Sequence, residues 1–191
     1  DLGEHRHTLK TTGMKSHLTG PDPELNHITG GVGVLYHGIK ILDLIPNVAE
    51  LKALRQSGRF QLIGLVMPCN ITIIVANLYG WTGGAQDQVA ASRTDHLLRL
   101  VMQEYLTRVR GPKLIVGDFN GNISNFPALQ GAIQSEEYID LGMFQGVCES
   151  PGSPTCFKSE EAPTRRDYAI ANVDAIPFIR SFQVVDTKLL P

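Results

Sequence analysis

An α/β (α+β) sandwich is the fold class this sequence predicts, and three observations predict it. Strand-length apolar runs rich in β-branched residues alternate with turn residues over residues 30–78. A long amphipathic stretch, residues 87–110, then interrupts them. Finally, 191 residues with 42% hydrophobic and 19% charged content suffice for one substantial core, and no linker divides the chain. Strand runs broken by helices, with no internal repeat, predict a single domain over 1–191.

The strands are expected at 31–36, 39–45, 60–67 and 71–78, forming a largely antiparallel sheet in which Pro68-Cys69-Asn70 closes a hairpin. Between Asp87 and Arg110, Leu97, Val101 and Tyr105 recur at four-residue steps beside Leu98, Met102, Leu106 and Val109, which predicts one helix. Asp87 can cap it, and Ser92-Arg93-Thr94-Asp95 also fits a capping box. Gly111-Pro112 ends the helix, and Lys113-Leu114-Ile115-Val116 reads as a short buried strand running into Gly117-Asp118. A short helix over 126–134, irregular chain at 149–155, a strand at 168–171, a turn or helix at 174–179 and a last strand at 182–185 complete the expectation.

Composition narrows the classes, although charge alone neither suggests nor excludes nucleic acid. The formal net charge of -2 and a pI near 6.3 lack the basic excess that grips nucleic acid nonspecifically, so phosphate binding would need local patches or a metal. Cys69, Cys148 and Cys156 are scattered, without ligand spacing, so reduced thiols are expected in place of a disulfide framework or zinc site. No apolar run approaches a membrane span, and residues 1–10 lack the apolar core of a secretory signal. The sequons at Asn70 and Asn122 are read as accidental.

Chemistry concentrates at Gly117-Asp118-Phe119-Asn120. Asp118 and Asn120 lie two apart just after a buried strand, so on extended backbone a carboxylate and an amide share one face. Beside a bound magnesium such a pair can orient or deprotonate water for attack on a phosphodiester. The same tetrapeptide also reads as a plain turn, because Asp, Asn and Gly are common turn residues. Gly30-Gly31-Val32-Gly33 lacks the following helix that a nucleotide loop needs, so its glycines are read as allowing close packing. Neither His5 nor His7 has a third metal ligand that sequence can identify.

Gly117-Asp118-Phe119-Asn120 resembles the GD[FL]N signature of the endonuclease/exonuclease/phosphatase family. Three further segments fall in that family's order: Gly30-Gly31-Val32-Gly33-Val34-Leu35 resembles its GGVAIL-like strand, Val75-Ala76-Asn77-Leu78-Tyr79-Gly80 its strand ending in Asn-x-Tyr, and Arg165-Arg166-Asp167-Tyr168 its R-x-D-Y segment. The resemblance implies a DNase-I-like fold, two packed and mostly antiparallel β-sheets flanked by helices with the site at one edge. It implies catalytic roles for Asp118, which activates water, for Asn120, which binds phosphate or positions Asp118, for Tyr79, which approaches the phosphate, and for Asp167, which orients the family histidine. Asn77 and Arg166 would contact substrate, and Trp81 in the following loop could touch a base. Leu2-Gly3-Glu4 resembles the segment whose glutamate binds magnesium, which makes Glu4 the implied metal ligand, with Mg2+ (or Mn2+) as cofactor.

Two family elements have no counterpart: a first strand bearing an asparagine, and a closing strand bearing an Asp-His pair. The natural domain is therefore expected to extend beyond both ends, with this segment alone poorly active. The function implied is a magnesium-dependent endonuclease acting on DNA, of a flavour closest to retroelement polyproteins, monomeric and without membrane; the sequence sets no compartment, and an intracellular place, the nucleus among the options, goes with that substrate. A lipid or inositol phosphoesterase of the same fold and an inactive fragment with a binding role are the alternatives.

Overall fold

The computed structural model describes residues 13–20, 31–45, 47–157 and 163–185. Glu4, His5, His7 and Gly30 lie outside the described residues. The strands are β1 (Lys15–Leu18), β2 (Gly33–Tyr36), β3 (Lys40–Asp43), β4 (Phe60–Val66), β5 (Thr72–Tyr79), β6 (Lys113–Asp118), β7 (Tyr138–Asp140) and β8 (Asp167–Asn172). The helices are α1 (Ala49–Gln56), α2 (Gln88–Arg99) and α3 (Pro127–Gln134), with shorter turns between.

Among the described residues there are two sheets. One is a six-stranded mixed sheet of order β3-β4-β5-β6-β8-β7; the other is the antiparallel pair β1-β2. The β4-β5 hairpin closes through a turn at Pro68–Asn70, as expected. The pairings are antiparallel as expected except that of β5 with β6, which is parallel: a parallel step needs a crossover, and α2 supplies it. Two strands and one helix escaped the sequence. β1 and β7 are four and three residues long, too short to show alternation. α1 follows from Ala49-Glu50-Leu51-Lys52-Ala53-Leu54, good helix formers whose single fully buried residue, Leu51, gives little stripe to read.

The 87–110 helix is corrected as well. Asp87 caps its start, its Oδ1 accepting from the backbone N–H groups of Val89 and Ala90 at 2.8 and 3.4 Å. Regular α-helix ends at Arg99; a π-helical segment, Leu100–Tyr105, and a 3₁₀ turn, Leu106–Arg108, follow. Leu100, Val101, Met102 and Leu106 are all buried, an apolar run denser than one 3.6-residue stripe, and the wider turn rotates them into the core. The strand expected at 182–185 reduces to a single bridge between Phe182 and Cys148, with Val184 and Val185 exposed.

Period-two alternation gives the large sheet two faces. Phe60, Leu62, Ile74, Ala76, Leu78, Ile115, Tyr168 and Ile170 face the helices and pack with Leu97, Leu98, Val101, Phe126 and Leu129. Ile63, Ile73 and Val75 face the other way, against Val34 of β2, Leu114 and Val116. The β1-β2 pair is tied to this second face by Gln61 Nε2, which donates to His17 O (3.1 Å), and Asn77 Nδ2, which donates to Gly33 O (3.1 Å). The site lies on this second face, at the end of the sheet where β6 gives way to a turn.

Candidate functional site

Strand register assembles the site from distant sequence. Tyr79 of β5 pairs with Asp118 of β6, and Asp118 pairs with Asp167 of β8, so the three form one row across neighbouring strands. Paired residues project from the same face of a sheet. Asn77 lies two positions before Tyr79 on that face, but its amide is bonded to the backbone of Gly33 and so ties the second layer to the first.

Asp118 is half-buried, and its Oδ1 accepts from the backbone N–H of Asn120 at 2.8 Å. The turn reading and the site reading of Asp118-Phe119-Asn120 thus coincide: the carboxylate closes its own turn and is held in place by it. Asn120 adopts φ 55°, a left-handed conformation that Asn tolerates better than most residues, and it is 6% exposed. Its Nδ2 donates to Gly80 O at 3.2 Å. Asn120 therefore orients Asp118 through its main chain, while its side chain joins the turn to the end of β5. Phe119, fully buried, stacks on Tyr168 (centroids 5.2 Å apart) and meets Phe126 edge-on (6.2 Å), anchoring the turn in the helix-side core.

Burial raises the Asp118 pKa above its ordinary 3.8, and the charge of Asp167 pushes the same way, against the Asn120 N–H and the Arg166 guanidinium. A carboxyl whose folded pKa is raised contributes most to stability below 3.8, where it is neutral in both states, and that contribution is lost as pH rises through the raised value. Asp118→Asn keeps the shape and the accepting Oδ1 but cannot ionise. It should therefore melt at a higher temperature than the wild type at pH 7, and the gain should vanish below about pH 3.8, a comparison thermal unfolding at two pH values makes directly. An unchanged melting temperature at pH 7 would mean that the carboxylate is not confined as described.

Asp167 is exposed, and its backbone N–H and that of Arg166 both donate to Thr155 Oγ1 at 3.0 Å. Arg166 Nε donates to Thr164 Oγ1 (3.2 Å), and Arg166 O accepts from Phe119 N (2.9 Å). Just upstream, Arg165 forms a bidentate pair with Asp140, Nη1 to Oδ2 at 2.7 Å and Nη2 to Oδ1 at 2.5 Å, with side chains 11% and 5% exposed. Its guanidinium also lies 4.6 Å from the Tyr168 ring centroid. Arg165→Met should cost about 3–5 kcal/mol, since it strands a buried carboxylate. Denaturant unfolding would measure it; a loss under about 1 kcal/mol would mean that Asp140 finds other partners.

Two contributors were not singled out from sequence. Thr155 sits in the Pro/Gly/Ser stretch, where nothing marks it. Arg59, first residue before β4, is 4% exposed and lies over both Tyr79 and Trp81, with its guanidinium carbon 4.9 and 5.1 Å from the two ring centroids. Trp81 is half-buried, and its backbone N–H donates to Thr94 Oγ1 of α2 at 2.9 Å.

The donor chemistry fits a hard divalent cation. Two carboxylates occupy neighbouring positions of one row, the charge of Asp167 adding to the cost of ionising Asp118, and oxygen donors of this kind suit magnesium. Among the described residues no group of three or more His, Cys, Asp or Glu could hold a metal alone, so water, substrate phosphate and residues outside the described set would complete the coordination.

No family model and no curated protein matches this sequence. Solved structures do match its fold. An endonuclease/exonuclease/phosphatase family protein from Leptotrichia buccalis superposes with a TM-score of 0.57 at 20% identity, covering 88% of this chain and 64% of that one. Another endonuclease/exonuclease/phosphatase protein, from Beutenbergia cavernae, gives 0.51 at 20% identity, covering 90% and 50%. The 3′ phosphatase NExo from Neisseria, bound to product DNA hairpin, gives 0.56 at 16% identity, covering 87% and 70%. The chain thus spans between half and 70% of the length of these structures.

Proposed function

We propose that this chain, which has the DNase-I-like fold of the endonuclease/exonuclease/phosphatase proteins, belongs to a magnesium-dependent phosphodiester hydrolase that cuts DNA. One observation carries the reading: Tyr79, Asp118 and Asp167 stand in a single row at the end of the sheet, with Asp118 held by the turn it closes. Asp118 takes a proton from water as the water oxygen attacks phosphorus; the bond from phosphorus to the leaving oxygen breaks, and that oxygen takes a proton from solvent. The raised pKa of Asp118 brings it closer to the strength a base needs near neutral pH. Tyr79 offers its hydroxyl to a phosphate oxygen, and Arg166 at the rim adds a positive charge. By resemblance Glu4 would hold Mg2+ or Mn2+, which when bound would neutralise charge developing on the phosphate.

DNA is favoured as substrate by Arg166 next to Asp167 and, by the position of its loop directly after Tyr79 in sequence, by Trp81, whose partly exposed edge could touch a base. The NExo neighbour is described as holding a DNA product. A retroelement polyprotein as the source, an intracellular and nuclear place of action and a monomeric state complete the proposal; they rest on the sequence resemblance and on the choice of substrate. Nicking of supercoiled plasmid tests it, with magnesium and with a chelator, by the chain and by a form extended at both ends. The proposal expects magnesium-dependent nicking, stronger in the extended form. A folded extended form that leaves plasmid intact but hydrolyses a small phosphomonoester would overturn DNA as substrate.

A further inference from the structure

We propose that Arg59 is a positioning residue for this site, acting as a planar spacer that sets Tyr79 and Trp81 and fixes the Gly80 peptide on which Asn120 rests; the proposal builds on the hydrolase reading above. The Gly80 peptide is bonded on both sides. Its N–H donates to Asp118 O at 2.8 Å, and its carbonyl accepts from Arg59 Nη1 at 2.9 Å and from Asn120 Nδ2 at 3.2 Å. The chains meet so closely here that a Cβ on Gly80 would lie 2.4 Å from Phe119 O. Any shift of the Gly80 carbonyl therefore moves the turn that carries Asp118.

Arg59 controls that carbonyl from a fixed seat. Its own backbone carbonyl accepts from Tyr79 N at 3.0 Å, so the residue is tied to the end of β5 by main chain as well as side chain. The guanidinium lies over both rings, one on either side of Gly80 in sequence, at distances typical of cation–π contacts. A flat, forked group can stack on rings and donate in-plane to a carbonyl at once; a compact ammonium has neither the flat face that spaces two rings nor the fixed fork that aims the donor. The sequence Arg59, Tyr79, Gly80, Trp81, Asn120 and Asp118 is thus one continuous set of contacts. Arg59 reaches the chemistry through Gly80 and Asn120 and touches no substrate itself.

The test compares wild type, Arg59→Lys and Arg59→Met for melting temperature, for hydrolysis, and for acrylamide quenching of Trp81, the chain's only tryptophan. Arg59→Lys keeps charge and most of the length, which guards against a variant that simply unfolds. The expected result is a fall in kcat of about tenfold or more in Arg59→Lys with little change in KM, because substrate still binds but the row is no longer held in geometry. Trp81 quenching should increase in both variants as the ring loses its cover. Arg59→Lys with wild-type kcat would overturn the proposal, and so would raised quenching in a folded variant whose kcat is unchanged. Hydrolysis is read in the form extended at both ends, and an extended, folded wild type that hydrolyses no phosphoester with magnesium is a different outcome: it removes the hydrolase reading itself and this proposal with it.

Discussion

Gly117→Ala is expected to cost about 3 kcal/mol or more of folding free energy and to lower the melting temperature by roughly 6–12 °C, using about 2–4 °C per kcal/mol for a chain of this size. Two independent effects add. Gly117 has φ 143°, a region that residues with a Cβ rarely enter. A Cβ there would also lie 1.9 Å from the carbonyl oxygen of Leu78, its partner in the parallel β5-β6 register. The obstacle is backbone, so no rotamer relieves it; β5 and β6 must separate at the position just before the Tyr79-Asp118 pair. Any folded fraction should therefore also show impaired hydrolysis. A melting temperature within about 2 °C of wild type would show that the strands do not approach as described.

The second large effect concerns Asp118. Its loss should reduce hydrolysis by about 10²–10⁴-fold, the range general-base groups contribute. Asp118→Asn is the informative change, because the amide oxygen can still accept from Asn120 N–H and close the turn, leaving the scaffold intact while removing the proton acceptor. Stability and activity should then move in opposite directions: the confined carboxylate disfavours the folded state at neutral pH, and the amide does not. A merely structural Asp118 would show the reverse, a loss of stability with activity following it.

The centre of the site was legible in sequence because its parts are local. A buried apolar strand that ends in Gly-Asp-Phe-Asn declares a strand, a close approach and a turn within eight residues, and the Asn-x-Tyr ending of β5 declares a neighbour of the same kind. What joins them was not legible. The pairing of Asp118 with Asp167 depends on register between strands 49 positions apart, and Gly142 to Thr164 between them follow no period. Arg59 shows why side-chain roles are harder still: ahead of a strand it reads as an ordinary solvated arginine, and only folding places two rings and a carbonyl around it. Asn77, which the resemblance assigns to substrate, spends its amide on the β2 backbone, a contact that depends on where the second sheet lies and that no spacing reports.

The π-helical segment has the same origin. Periodicity over 97–109 reports which residues are apolar, but not how tightly the backbone winds to bury them. The register slip after Arg99 is decided by packing, with Val101 and Leu106 fully buried, and leaves little trace in spacing alone.

Asp118 is the proton acceptor on which the proposed metal-assisted hydrolysis depends. Nicking of supercoiled plasmid by the extended protein and by its Asp118→Asn variant, at equal folded concentration with magnesium present, measures that claim. The predicted result is magnesium-dependent nicking by the wild type and a rate at least about a hundredfold lower in the variant, which melts no lower than the wild type. A variant that nicks within a fewfold of the wild-type rate would contradict it and move the chemistry away from the Tyr79-Asp118-Asp167 row.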